Sequence, residues 1–147
     1  MDKYAKYDEI LNSEKTVAII LIMLIVITMI ALIIFGLKIK LKYITSGAII
    51  VGLIGTIFMY LVGVFPYDKD INENAYETYV GEFIIEDYFS TNRGRSYVII
   101  KCNENTHSLR YEVLCDVPNF ELYTIYEGSF TVSQNSKCLM DIDINAT

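Results

Sequence analysis

Residues 16–37 and residues 43–65 contain no Asp, Glu, Lys, Arg or His, and nothing else in the chain restricts its possible folds so severely. A helix rises about 1.5 Å per residue, so roughly twenty apolar residues cross a hydrocarbon core of about 30 Å, and both runs are long enough. The first run is dense in Ile, Leu and Val, a composition that would suit a buried strand only if it were a few residues long. At this length a helix is the structure that satisfies every backbone group inside the segment. A cleavable secretory signal would have a shorter apolar region followed by small residues. Here Lys38-Ile39-Lys40-Leu41-Lys42 follows instead. The expectation is a membrane α-helical hairpin with spans at 16–37 and 43–65, preceded by an N-terminal tail over 1–15.

The second run carries Ala48, Gly52, Gly55 and Thr56 at helical spacing, with Met59 and Gly63 near the same stripe. Small residues let a neighbouring helix approach closely. Packing against the first span, through Thr28 and Ala31, is the expected use, and homodimerisation through Ala48 and Gly52 is the alternative. Ionisable groups inside a membrane mark ion or proton pathways, and these spans contain none, which argues against a channel or transporter. Lys38, Lys40 and Lys42 stand together in the linker with no acid among them, whereas Lys15 and Lys69 lie beside Glu14, Asp68 and Asp70. Positive-inside reasoning therefore favours the linker in the cytoplasm and both termini outside, as a multi-pass protein of the cell membrane.

The formal net charge is −6, unevenly spread. Residues 66–147 hold fourteen acidic and six basic side chains and so are eight units negative. That field disfavours phosphate backbones, and no nucleic-acid partner is expected. Residues 66–74 are rich in turn formers and read as a linker. From residue 75 the pattern has a period of two, the mark of strands. Residues 76–87 form a first strand with a bulge or close approach at Gly81, and 91–95 form a turn. Residues 97–102 and 107–115 form a hairpin in which Cys102 faces His107, Ile100 faces Leu109 and Val98 faces Tyr111. Residues 128–134 and 137–144 give two more strands, with Phe130 and Val132 sharing a face and a turn at Asn135-Ser136. The stretch after Pro118 reads as one or two helical turns, capped by Asn119 and ended by Gly128. The expected C-terminal unit, 75–147, is a small all-β domain. It is either a five-stranded barrel of the oligonucleotide/oligosaccharide-binding (OB) or SH3-like kind or, alternatively, a β-sandwich.

Tyr79-Val80-Gly81-Glu82-Phe83, the strand over 96–101 and Tyr126-Glu127-Gly128-Ser129-Phe130-Thr131-Val132 with Asn135-Ser136-Lys137 carry a resemblance. The chain resembles small bacterial membrane proteins in which a two-helix anchor bears an extracytoplasmic OB-like or NfeD-like β domain. The likeness covers about half of the chain and implies the fold and the membrane location, but no active site.

Cys102, Cys115 and Cys138 lie on the inward phase of their strands. At the usual rise Cys102 and Cys115 stand about 27 Å apart along the hairpin, too far for a disulfide, whereas Cys138 stays open to one. No pair has zinc-ligand spacing and His107 is the single histidine, so no metal and no cofactor are expected. His107 has no nucleophile or orienting acid at a recognised spacing. Glu82, Glu86, Asp87, Asp141 and Asp143 lack a calcium-loop pattern and read as a solvated face. Arg93 and Arg95 flank Gly94, a place where forked guanidinium groups receive carboxylate or phosphate. Tyr88, Tyr123 and Tyr126, with those arginines, form the candidate binding surface, since tyrosine is common at interfaces. The sequence thus predicts a non-catalytic, membrane-anchored binding or accessory module that contacts a protein or envelope component near the bilayer, with protection against a toxin as one form. A structural membrane-organising protein is the alternative, and a thiol-dependent enzyme is a third reading.

Overall fold

The computed structural model describes residues 3–92, 94–102 and 107–145. Arg93 and the 103–106 loop lie outside the described residues. The chain divides into two compact units, residues 1–71 and 72–147.

In the first unit α1 (Lys3–Lys38) and α2 (Lys42–Gly63) form a hairpin, and α3 (Phe65–Glu73) follows. Helix α1 has 36 residues, about 54 Å at the usual rise. The expected N-terminal tail is therefore helical from Lys3 and extends the apolar span with a polar end. The expected linker over 66–74 is also helical: Pro66 stands in the first turn, where its missing N–H costs nothing, and Asp68 complements the positive end of the helix dipole. Lys15 Nζ reaches Asp68 Oδ1 at 2.8 Å, tying α1 to α3. Both long helices are apolar and long enough to span a membrane, and only 6% and 11% of residues in their most apolar stretches are buried. A core helix of a soluble domain would hide such a surface.

Small residues set the closeness of the hairpin. A Cβ on Gly52 would run into the Met29 side chain, and one on Gly63 would come within 2.9 Å of Ala18 Cβ. Gly55 faces Ile25, and Thr56 turns its hydroxyl back to the Gly52 carbonyl at 2.8 Å. Ala48 lines an open groove between the helices together with Thr28 and Met59.

The second unit contains β1 (Tyr76–Ser90), β2 (Ser96–Cys102), β3 (Leu109–Val113), β4 (Ile125–Ser133) and β5 (Cys138–Asn145). The hydrogen-bonded order runs β1-β2-β3-β5-β4 and returns to β1, so every strand has two hydrogen-bonded neighbours. The length of β1 makes this closure possible: its first part pairs with β4 from Tyr76 to Ile84, and its second with β2 from Phe83 to Ser90. All pairs are antiparallel except β3 with β5, which meet at Glu112↔Cys138 and Val113↔Leu139. The expected register of the β2–β3 hairpin is observed, with Ile100↔Leu109 and Val98↔Tyr111. The inward residues of all five strands make one core, centred on Phe83, Ile85, Val98, Ile100, Phe130 and Leu139.

Three local expectations are corrected. Gly81 causes no register shift against β4; it pairs with Gly128 at φ +148°, a conformation open mainly to glycine. The β1 bulge lies instead at Glu86, between Ile85 and Asp87. No helical turn forms after Asn119. The 114–124 stretch is irregular, with Leu122 and Tyr123 in a turn and Tyr123 at φ +62°. Gly128 ends no helix: it lies inside β4, where a Cβ would overlap the Asp143 carbonyl oxygen of β5.

Candidate binding face

Along β2 the side chains alternate, with Val98, Ile100 and Cys102 buried and Tyr97, Ile99 and Lys101 on the opposite, outer face. On β1 the bulge at Glu86 changes which residues face outward. Before it, Phe83 and Ile85 point into the core. After it Phe89 pairs with Tyr97, on the outer face. Without the extra residue Phe89 would keep the inward phase of Phe83 and Ile85.

The result is an aromatic platform on the outside of the sheet. The Phe89 and Tyr97 rings stack at 5.6 Å between centroids and 26° between planes. Arg110 of β3 lies across both, its guanidinium carbon 4.1 Å from the Tyr97 centroid and 5.0 Å from that of Phe89. A guanidinium stacked in this way keeps its in-plane N–H donors for a carboxylate or phosphate, and an exposed stack of this kind contributes about 0.5–1 kcal/mol. Beside it Arg95 meets Glu112, Nη1 lying 3.1 Å from Oε1 and 3.2 Å from Oε2. The supporting loop is fixed by Thr91 N–H to Arg95 O at 2.7 Å and Gly94 N–H to Thr91 O at 2.9 Å. Arg95, Lys101 and Arg110, three of the five basic residues in 75–147, lie on this loop, on β2 and on β3.

The expected binding residues do not form one surface. Arg95 belongs to the platform, but its guanidinium already holds the Glu112 carboxylate. Arg93 lies outside the described residues. Tyr88 stands edge-on to Phe120, with centroids 5.5 Å apart. Tyr126 is a clamp: its hydroxyl accepts from Glu121 N–H at 2.5 Å and donates to the Glu121 carbonyl at 3.2 Å. Tyr123 is the most exposed, at 74%, and its N–H donates to the Ile85 carbonyl at 2.9 Å. Ala48, Gly52, Gly55 and Thr56 serve the helix hairpin as described above. The sequence reading missed Phe89, Tyr97 and Arg110. The available signal was an aromatic on the outer phase of β2 opposite a strand that carries an arginine.

Cys102 and Cys138 are buried and Cys115 is half-buried, all three as thiols rather than half-cystines. Cys102 ends β2, whereas Cys138 pairs with Glu112, which is level with Tyr97. Five positions along the strand separate them, about 17 Å. The Cys138 N–H donates to Ser133 Oγ at 2.9 Å, and Ser133 Oγ also lies 2.6 Å from Ser136 Oγ, so this thiol is part of the β4–β5 turn. His107 is exposed. Among the described residues no three His, Cys, Asp or Glu side chains gather where they could hold a metal ion. Tyr111, 6% exposed, has its hydroxyl pushed up from 10.0 to about 12, first by burial and then by the nearby Cys102 and Glu77.

No family model, curated protein or solved structure matches the chain.

Proposed function

We propose that this chain is a multi-pass protein of a bacterial cell membrane. In this reading it is a non-catalytic binding or accessory module whose helix hairpin lies in the bilayer and whose β domain, outside the cytoplasm, contacts a protein or envelope component. The domain is read as an OB-like barrel: the order β1-β2-β3-β5-β4 with a parallel β3–β5 pair suits that fold, in which the β2–β3 face and adjoining loops bind ligands. The observation that carries the proposal is the Phe89–Tyr97–Arg110 stack on that face. A half-buried aromatic pair under an exposed arginine, with cations concentrated in an otherwise acidic domain, has the composition of an interface centre. The orientation is supported by the Lys15–Asp68 pair, which offsets a lysine on the terminal side, while the lysines of the α1–α2 turn keep their charge.

Photocrosslinking tests this reading. A benzophenone amino acid replacing Tyr97 in the full chain, illuminated in intact membranes, is expected to give a discrete adduct that Arg110→Ala weakens. The same probe replacing the exposed Asp143 on β5 gives none. Equal adducts at both positions, or none at Tyr97, would sink the proposed face.

A further inference from the structure

The turn between α1 and α2 has a chemistry that the hairpin itself does not use. Helix α1 ends with Lys40 N–H bonded to Leu37 O and Leu41 N–H to Gly36 O, at 3.2 and 3.0 Å. These bonds form a Schellman closure, in which the left-handed position is usually glycine. Here Lys40 occupies it, at φ +57°, a conformation disfavoured for a residue with a side chain. The last carbonyls of α1 are thus satisfied by the turn. Among the described residues the side-chain ammonium groups of Lys38, Lys40 and Lys42 have neither an ion-pair nor a hydrogen-bond partner. All three are exposed.

The start of α2 is equally unfinished. Its N-cap, Leu41, supplies no side-chain hydrogen bond, and the first-turn amides of Lys42 and Tyr43 have no acceptor within the helix. Of the helical threonines Thr16, Thr28 and Thr56 each return the hydroxyl to the carbonyl four residues back. Thr45 does not. Its Oγ1 is buried with no hydrogen-bond partner, alone in this respect among the described residues. Thr45, Ser46, Gly36, Lys40 and Lys42 line one pocket of about 480 Å³ at the turn. Two unneutralised ammonium groups, those of Lys40 and Lys42, an uncapped helix start and an orphaned hydroxyl therefore meet beside a pocket, at the end of two helices long and apolar enough to span a membrane.

We infer that this pocket binds the phosphate of an anionic phospholipid headgroup, whose acyl chains lie along the apolar faces of α1 and α2. Lys40 and Lys42 supply the charge, and the α2 amides with the Thr45 and Ser46 hydroxyls supply donors. A lipid is the favoured source of the phosphate because the exposed helix faces next to the pocket are apolar, with Leu37 and Leu41 65% and 47% exposed. The inference rests on the proposed insertion of the hairpin.

The test uses the full chain in detergent micelles and native mass spectrometry with added phosphatidylglycerol, phosphatidylcholine or inorganic phosphate. Wild type is expected to retain phosphatidylglycerol over phosphatidylcholine. Lys40→Gly with Lys42→Gln, which relieves the left-handed residue while removing both charges, should lower retention by about tenfold or more, the scale of two lysines at an anionic surface. Thr45→Val is expected to lower it by less, and Lys6→Gln with Lys69→Gln to leave it unchanged. Equal retention in the Lys40/Lys42 variant, or an equal loss in the Lys6/Lys69 control, overturns the site. Displacement of the lipid by inorganic phosphate alone overturns the lipid as its source. The bilayer reading is read separately, before any lipid is added: a chain that stays monomeric in buffer without detergent removes it, and the site with it.

Discussion

Tyr111 puts a titratable group inside the β-domain core, and the sign of its effect on stability follows from its surroundings. Burial, with Cys102 and Glu77 nearby, disfavours the phenolate and raises the hydroxyl to about 12. An acid whose folded value lies above its unfolded one holds its proton more tightly in the native state. Its stabilisation is complete below pH 10 and declines as the pH rises from about 10 to about 12. Urea midpoints of the full chain in detergent, read from near-ultraviolet circular dichroism, are expected to fall across that window in wild type. In Tyr111→Phe the fall is expected to be smaller, because the buried phenol is no longer there to ionise. Parallel curves for the two proteins would contradict this assignment. Other residue-scale features were hidden in the sequence for a clear reason. The positive φ of Lys40, Tyr123 and Lys137 falls on residue types that do not announce it, whereas Asn74 is of a type that tolerates the left-handed region and Gly94, at φ +77°, sits in a turn that could be read directly.

Elements were legible where period and loop length agreed. The β2–β3 register follows from one apolar phase in each strand, and a slip of one residue would have put Val98 and Tyr111 into water. The alternation of Ile142 and Ile144 against Asp141 and Asp143 is equally plain, but Leu139, which the same alternation places on the outer side with the two aspartates, is buried. The cause is a register shift in the β4–β5 ladder, where Thr131 pairs with Asp141 and Val132 with Leu139, so that Met140 is the extra residue. Bulges at Glu86 and Met140 change phase without any local signal, which is why Phe89 was not recognised as an outer residue. Helix α3 is hard to read because Pro66 and Asp68 serve equally as helix-start signals and as turn formers. The small residues of α2 were legible as a packing stripe, and their use within the hairpin is testable. Gly52→Leu would drive a side chain into Met29 and is expected to cost about 1–3 kcal/mol, seen as a lower melting temperature of the helical signal in detergent. Gly47→Leu is the control, since a Cβ there meets nothing within 4 Å, and it should leave the melting temperature almost unchanged. Equal losses in both variants would mean that α1 does not depend on the Gly52 contact.

For the whole molecule, inserted in a membrane as proposed, the distribution of charge assigns a side to each unit, and that assignment can be tested. Counting lysines alone leaves the sides balanced, with Lys38, Lys40 and Lys42 in the turn against Lys3, Lys6, Lys15 and Lys69 on the terminal side. The structure changes the weighting. Lys15 is held by Asp68, whereas the turn lysines meet no acid, and a negative inner leaflet attracts concentrated, unpaired cations. In the proposed orientation the acidic residues 66–147 lie outside, where that leaflet does not repel them. Cysteine labelling can decide the matter, because the native thiols are buried or half-buried and give a low background. Glu121→Cys, at an exposed site in the β domain, is expected to react with a membrane-impermeant maleimide in intact cells. Lys40→Cys should react only after the cells are opened. The opposite pattern would place the turn outside; the site inferred there would then have to recruit its phosphate from the outer leaflet, and the search for a partner of the Phe89–Tyr97–Arg110 face would move to the cytoplasm.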